Sequence, residues 1–202
     1  KEVAAEAKER GVTFLDTPVS GSVPQAESST LAIMVGGDAD ALARHRDVLE
    51  VLGSSVTHMG GNGAGLSMKL ATNLIFAASL CGIAEGLALG AKAGLDPRRM
   101  VEVLRRGAVP KILDYKGMAM VDRDYSTTFP VRLMRKDLRL IVALAERLLS
   151  PVPLVSAARQ VFVAADALGF GEADQNAIIE VYQRVGGGPG PSGEGWKNSL
   201  YS

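Results

Sequence analysis

The sequence contains only two histidines, His45 and His58, and a single cysteine, Cys81. A structural zinc site needs about four Cys or His ligands at short spacing, so we expect this chain to hold no metal. One cysteine cannot form an internal disulfide, and its neighbours Leu80 and Ile83 predict a small core residue instead of a reactive thiol. This cysteine usage fits a reducing compartment, so we expect a cytoplasmic location.

An excess of charge of either sign is also missing, because the 22 basic and 22 acidic residues cancel. No broad electrostatic field therefore attracts nucleic acid or anionic lipid. With 47% hydrophobic residues over 202 positions, the chain is too apolar to be disordered as a whole and can bury a core. We expect a small molecule or a protein as its partner, and no nucleic acid.

The first residues are charged throughout, which predicts no secretory signal at the start of this sequence. One long apolar stretch, Leu70 to Leu95, resembles a membrane span in hydropathy. Asn73 and Glu85 inside it, and Lys92 near its end, would be costly at bilayer depth. We interpret the stretch as the buried central helix of a globular protein and expect no membrane partner.

Helical and strand patterns alternate over the first sixty residues. Strands are expected at Val12–Asp16, Thr30–Val35 and Ser54–His58, with a charged helix before the first and another helix over Ala39–Leu52. Such alternation predicts an α/β fold with a mixed or parallel sheet. Because these strands are few, we expect the sheet to be completed by residues outside this sequence.

Strand signals end near Gly65, where a helix of almost thirty residues is expected to begin and to run to Ala93. Asp96 and Pro97 then form an N-cap and first-turn pair that predicts the next helix. Further breaks are expected at residues 107–110, 124–127, 150–153 and 169–171. Together these signals predict about five helices after the long one. The glycine- and proline-rich tail, residues 186–202, is expected to be disordered.

Three segments carry residues suited to chemistry. The first, Asp-Thr-Pro-Val-Ser-Gly-Ser over residues 16–22, directly follows an expected strand, and ligands of open α/β sheets bind at that edge. Backbone amides and hydroxyls around Ser20, Gly21 and Ser22 could hold a carboxylate. The alternative is an ordinary turn, which the same residue types also favour.

The second segment, residues 60–73, is glycine-rich and leads into a helix N-terminus, where free amides favour anions. Lys69 and Asn73 are four residues apart and so share one face of that helix. Partial desolvation would ease release of the lysine proton, as acid–base catalysis requires. A snorkelling lysine beside a surface asparagine is the alternative.

The third segment, residues 129–138, places Lys136 and Asp137 on a helix whose apolar positions run from Val131 to Leu148 at helical spacing. Lys136 points away from this apolar stripe, toward solvent or a cofactor, and Asp137 borders it. By itself such a pair is typical of a solvated helix surface.

In this order and spacing, the three segments resemble the β-hydroxyacid dehydrogenase family, which includes 3-hydroxyisobutyrate dehydrogenase, tartronate semialdehyde reductase and the glyoxylate/succinic semialdehyde reductases. The resemblance covers about residues 2–185. It implies the C-terminal part of a Rossmann-type dinucleotide-binding α/β domain over residues 1–60. An all-α domain built on a long central helix would follow over residues 61–185, similar to the C-terminal domain of 6-phosphogluconate dehydrogenase.

The resemblance also implies an activity: hydride transfer between NAD or NADP and a small 2- or 3-hydroxy acid or the matching semialdehyde. Ser20, Gly21 and Ser22 would bind the substrate carboxylate. Lys69 would be the general acid/base, and Asn73 would orient both the substrate and Lys69.

The remaining implied roles concern the cofactor and the walls of the site. Gly65 and Lys136 would contact the cofactor, and Phe129 and Asp137 would shape and close the site. Thr17 stands where the family usually has alanine, which leaves the role of Ser20 unchanged. The larger departure is that no strand–glycine–helix dinucleotide fingerprint precedes these segments, so this chain alone is expected to bind NAD or NADP weakly and to be inactive.

Two alternatives to this activity stay open. An imine reductase of the same superfamily usually replaces the lysine, and a non-catalytic dimerisation or scaffold module would be expected to lose Lys69, Asn73 or Ser20. All three residues are present. The resemblance further implies a homodimer or homotetramer assembled through the helical domain.

Overall fold

A computed structural model of the chain describes residues 2–107 and 112–185. They belong to two compact units, Lys1–Thr72 and Asn73–Ser202. The division falls within the long helix, later than the boundary after residue 60 that the sequence suggests, which stays a prediction. The tail expected to be disordered, residues 186–202, lies outside the described residues, as does most of the break expected at residues 107–110.

The first unit is an α/β arrangement, as predicted. Its elements are α1 (Glu2–Glu9), β1 (Leu15–Asp16), β2 (Val19–Ser20), α2 (Val23–Glu27), β3 (Ala32–Gly37), α3 (Ala39–Leu52) and β4 (Ser55–Gly60). The sheet is mixed, because β3 pairs antiparallel with β1 and β2 and parallel with β4. Its core is formed by Ile33, Val35 and Leu42, with Leu15, Leu49 and Val56 packed against them.

The strand expected over Val12–Asp16 is shorter than predicted, and its continuation was missed. Residues 15–16 and 19–20 form two short pieces along the same partner, β3. Pro18 lies between them and has no N–H for the ladder, although its carbonyl accepts from Met34 N at 3.0 Å. The motif interpreted as a turn therefore contains a strand, and this strand ends at Ser20.

Helix α3 has the bounds expected from the sequence, Ala39–Leu52. Asp38 caps it, because its Oδ1 accepts from Ala41 N at 2.7 Å. The short helix α2 was not predicted. It begins after Ser22, whose N–H donates to Gln25 Oε1 at 2.9 Å, an arrangement typical of a capping box.

The second unit is helical, as predicted. The long helix α4 (Ala64–Lys92) begins in the first unit and continues into the second, followed by α5 (Pro97–Arg105), α6 (Ile112–Asp122), α7 (Val131–Leu148), α8 (Pro153–Ala165) and α9 (Ile179–Val185). Asp96 caps α5 as expected, with Oδ1 accepting from Arg98 N at 2.9 Å. A kinked turn at Asp166–Phe170, in which Gly169 has a φ of 92°, and a 3₁₀ turn at Gln175–Ile178 separate α8 from α9.

The apolar stripe of α7 forms part of the core, as its periodicity predicted. Its buried residues are Val131, Met134, Leu138, Ile141 and Ala145. Leu148, expected on the same stripe, is 66% exposed because it lies at the end of the helix. Cys81 is buried, as predicted, and burial raises the pKa of its thiol to about 12.

Helix α4 is less covered than a central helix was expected to be. In the most apolar 18-residue stretch of α4, 39% is buried within this chain, and the side chains of Ile75 and Leu89 are largely exposed. Within residues 2–107 and 112–185 it is the one helix long and apolar enough to cross a membrane. The core helix of a soluble protein can have the same length and hydropathy.

Candidate functional site

The predicted carboxylate-binding turn lies at the end of β2. Ser20 is the last residue of that strand, pairs with Ala32 and is half-buried, while Gly21 after it is exposed. The Ser22 amide and hydroxyl both contact Gln25 Oε1, at 2.9 and 3.1 Å. An anion-binding role for this turn would therefore rest mainly on Ser20 and Gly21. The substrate roles of all three residues stay predictions.

The carboxylate of Asp16 connects the end of β1 to the start of α4. Asp16 is 5% exposed, and its Oδ1 accepts from Gly63 N at 2.6 Å while its Oδ2 accepts from Leu66 N at 2.9 Å. The sequence suggested that amides at this helix N-terminus would bind a ligand anion. Two of them instead bind a carboxylate of the chain itself.

Gly65 allows the first turn of α4 to pack directly on the sheet. A Cβ at this position would lie 2.5 Å from Met34 O and 2.8 Å from Asp16 O. Asn62 strengthens the same contact, since its Nδ2 donates to Phe14 O at 2.7 Å. This packing accounts for the glycine, and the cofactor contact predicted for Gly65 stays a prediction.

Lys69 and Asn73 lie one turn apart on α4, as predicted, with Lys69 half-buried and Asn73 7% exposed. The Nδ2 of Asn73 donates to Asp137 Oδ2 at 2.8 Å. The other oxygen of Asp137 is 3.1 Å from Lys136 Nζ. The structure thus brings Asn73, Asp137 and Lys136 into one hydrogen-bonded group.

Lys136 is half-exposed on α7, consistent with the prediction that it points away from the apolar stripe. Phe129 is half-buried just before α7, and its backbone N–H donates to Asp174 Oδ2 at 3.2 Å. The cofactor role of Lys136 and the wall-forming role of Phe129 stay predictions.

Sequence reasoning missed Asp174, the most connected acid of the second unit. It is fully buried, pairs with Lys116 Nζ at 2.7 Å and accepts from Thr128 N at 2.9 Å. Burial alone would raise the pKa of Asp174, but the hydrogen bonds from Lys116 and Thr128 outweigh it and hold the pKa below its ordinary value. The only local signal was an aspartate shortly after the break at residues 169–171.

Two protein-family models match the chain. Residues 63–182 match the model described as NAD-binding of NADP-dependent 3-hydroxyisobutyrate dehydrogenase. Residues 1–61 match the NAD binding domain of 6-phosphogluconate dehydrogenase. The chain belongs to the β-hydroxyacid dehydrogenase family. The resemblance inferred from the three sequence segments is therefore confirmed.

Relatives in this family are similar over most of the chain. A chloroplastic glyoxylate/succinic semialdehyde reductase 2 of Arabidopsis thaliana is 35% identical over 88% of this chain and 50% of that protein. A 3-hydroxyisobutyrate dehydrogenase of Pseudomonas aeruginosa is 39% identical over 80% of this chain and 57% of that protein. This chain thus spans little more than half the length of these β-hydroxyacid dehydrogenases.

A solved structure agrees with the fold. The crystal structure of 3-hydroxyisobutyrate dehydrogenase from Salmonella typhimurium has a TM-score of 0.82 at 31% identity, covering 89% of this chain and 64% of that one. This similarity confirms the predicted fold class, a Rossmann-like α/β part followed by a helical domain.

Proposed function

We propose that the full-length protein is an NAD- or NADP-dependent dehydrogenase of a small 2- or 3-hydroxy acid, or a reductase of the matching semialdehyde. The observation that carries this proposal is the buried Asn73, held by Asp137 one helical turn from Lys69 in a chain of this family. The substrates named for the relatives support the class. Lys69 argues against an imine reductase, and the retained Ser20, Lys69 and Asn73 argue against a scaffold.

In this proposal Lys69 transfers the proton. Its Nζ takes the hydroxyl proton when the acid is oxidised and returns it to the oxygen when the carbonyl is reduced. General acid–base help of this kind contributes about 10²–10⁴-fold in rate. The side-chain amide of Asn73 donates to Asp137, and this hydrogen bond holds the Asn73 side chain in one orientation. A residue that orients the substrate or Lys69 must itself be fixed in this way.

Lys136 suits a contact with a nicotinamide cofactor, whereas the Gly63 and Leu66 amides at the start of α4 do not suit its diphosphate. When bound, NAD or NADP supplies or accepts the hydride. Lys136 is a half-exposed cation beside Asp137, in keeping with a cofactor contact. The Gly63 and Leu66 amides are already used by Asp16, so they offer the diphosphate no cradle.

The decisive experiment is a steady-state screen of the full-length protein. We expect turnover with at least one short 2- or 3-hydroxy acid or semialdehyde when both cofactors are tried. Related alcohols and aldehydes without a carboxylate serve as controls and should be poor substrates. Absence of turnover across the panel, with a folded protein, would reject the proposed function.

Replacing Ser20 with alanine should weaken substrate binding more than turnover. A hydrogen bond to a charged group contributes about 1.5–3 kcal/mol, so KM for the acid should rise about tenfold or more. Ser28→Ala is a matched control, because Ser28 is exposed and its hydroxyl donates to Pro24 O in the same unit. If Ser20→Ala impaired substrates with and without a carboxylate equally, the anchoring role would be wrong.

We also propose that the protein is a homodimer or a homotetramer, assembled through the helical domain. The exposed Ile75 and Leu89 on α4 are the supporting observation, since such apolar surface favours burial against a partner. Sedimentation equilibrium of the full-length protein should give a mass of at least two chains. Replacing both residues with glutamate should shift it toward the monomer, and a strictly monomeric wild type would contradict the proposal.

A further inference from the structure

Asp16 binds the start of α4 through its side chain. One carboxylate oxygen accepts from Gly63 N, just before α4, at 2.6 Å, and the other accepts from Leu66 N, in its first turn, at 2.9 Å. Hydrogen bonds to an ionised acceptor are stronger than neutral ones, and a negative charge at a helix N-terminus is further favoured by the helix dipole. The acid is 5% exposed, so water competes little for these bonds.

The surroundings of this carboxylate are shaped closely around it. A Cβ on Gly36 would lie 2.5 Å from Asp16 Oδ1, and a Cβ on Gly65 would lie 2.9 Å from Asp16 Oδ2. Real Cβ atoms do not approach so closely, so a side chain at either position would displace the carboxylate or the helix. The backbones of β3 and α4 therefore enclose Asp16 from two sides.

The contact links two segments that carry proposed functional residues. Asp16 ends β1, four residues before Ser20, and Leu66 lies three residues before Lys69, within one turn of α4. A shift or rotation of the first turn of α4 would therefore move Lys69 relative to the Ser20 turn, and both lie in the first unit. Small displacements of a catalytic group can cost about a hundredfold in rate.

We propose that Asp16 is a positioning residue, which fixes the first turn of α4 on β1 and so sets the place of Lys69 relative to the substrate carboxylate anchor. This role rests on the proposed function of Lys69 and Ser20. It assigns the first residue of the Asp-Thr-Pro-Val-Ser-Gly segment a task distinct from substrate binding.

The test replaces Asp16 with asparagine in the full-length protein. Asp16→Asn keeps the shape but can accept with only one of its two terminal atoms, so one of the two helix amides loses its partner. We expect kcat to fall about 10- to 100-fold with KM for the acid within about twofold, because proton transfer is misaligned while the anchor stays. Hydrogen exchange of the peptide covering Gly63 and Leu66 should become faster.

Asp38→Asn is the matched control. Asp38 caps α3 through Ala41 N at 2.7 Å, the same chemistry on a helix that carries none of the proposed site residues. We expect it to lower stability modestly and to leave kcat unchanged. Measuring both variants at a temperature where circular dichroism shows them folded separates positioning from a general loss of stability.

A second variant guards against misfolding of Asp16→Asn. Gly65→Ala keeps Asp16 but places a methyl group 2.5 Å from Met34 O, which pushes the first turn of α4 away from the sheet. At saturating NAD or NADP it should lower kcat in the same way with an unchanged KM for the cofactor, which separates the shift of α4 from the cofactor contact predicted for Gly65. Gly61→Ala, whose Cβ would meet no atom within 4 Å, should not lower kcat.

The outcomes distinguish this proposal from the proposed function. If Lys69→Ala abolishes turnover while folded Asp16→Asn and Gly65→Ala keep normal kcat, the positioning role of Asp16 is rejected and the function stands. If Lys69→Ala turns over normally, the proposed function itself fails. A rise in KM with unchanged kcat in Asp16→Asn would likewise overturn the positioning role.

Discussion

Replacing Lys69 with alanine in the full-length protein is expected to lower kcat by at least about 10²-fold, since it removes the group that transfers the proton in the transition state. KM for the hydroxy acid should change much less, because the proposed anchor of the carboxylate is the Ser20 turn. Steady-state kinetics in both reaction directions measure the two constants separately. Circular dichroism should show an unchanged fold.

The matched control is Lys92→Ala, which removes an exposed lysine at the other end of the same helix. Its kinetics should equal those of the wild type. A small primary amine added to Lys69→Ala should restore part of kcat, because it can supply a proton-transfer group to the space left by the side chain. Near-normal turnover of Lys69→Ala would end the assignment of this residue as acid/base.

The parts of the fold that local rules control could be predicted from the sequence. The bounds of α3 follow from its Asp38 cap and helical period, and the start of α5 follows from Asp96 and Pro97. The length of α4 follows from a long apolar run that contains no proline. Each of these signals lies in or next to the element that it predicts.

Contacts between distant segments could not be predicted in the same way. Asp16 and Gly63 are 47 positions apart, and nothing in the local sequence distinguishes a helix-capping aspartate from one in a turn. The same holds for Asn73, whose shared face with Lys69 was predicted but whose partner Asp137 lies 64 positions away. The sequence thus suggested candidate site residues and left open which of them touch.

The missed strand β2 has a different cause. Pro18 suggested a turn, since proline removes a ladder hydrogen bond. In the structure its carbonyl still accepts from Met34, so β3 stays paired across the interruption. Only the partner strand could show that the two pieces on either side of Pro18 lie along one edge.

Breaking the buried ion pair of Lys116 and Asp174 should reduce the free energy of unfolding more than breaking an exposed ion pair. Their side chains are only 11% and 1% exposed, and Asp174 also holds the amides of Thr128 and Phe129 just before α7. Asp174→Ala leaves a buried ammonium without its partner, and removing one member of such a pair costs about 3–5 kcal/mol. Urea unfolding of the full-length protein at neutral pH measures the difference.

Glu172→Ala is the control for this prediction. Glu172 pairs with Arg132 at 2.6 Å in the same region, but the two side chains are 78% and 47% exposed. Solvent screens such a pair, so the loss should be at most about 1 kcal/mol. Equal effects of the two substitutions would show that the buried pair contributes no more than a surface one.

The stability that Asp174 contributes should also depend on pH in a defined direction. Burial raises its pKa, but hydrogen bonds from Lys116 and Thr128 prevail and the net pKa is below the ordinary value. A carboxyl group whose pKa is lower in the folded protein than in the unfolded chain stabilises the fold at pH values above its pKa in the unfolded chain, about 3.9. This stabilisation is lost as the pH falls through the pKa of the group in the folded protein. The stability gap between wild type and Asp174→Asn should therefore narrow as the pH falls below about 4, and a constant gap would contradict this linkage.

A double substitution then separates the value of the pair from the cost of an orphaned charge. Lys116→Met with Asp174→Asn leaves no buried ion, so it should be more stable than Asp174→Asn alone, even though more of the network is gone. Its activity is the second readout: α7 carries Lys136 and Asp137, and the segment entering α7 is held by Asp174. We expect Asp174→Asn to lower kcat as well as stability. If the double variant regains stability but not kcat, the network serves to place α7, and if it regains both, the pair serves only the fold.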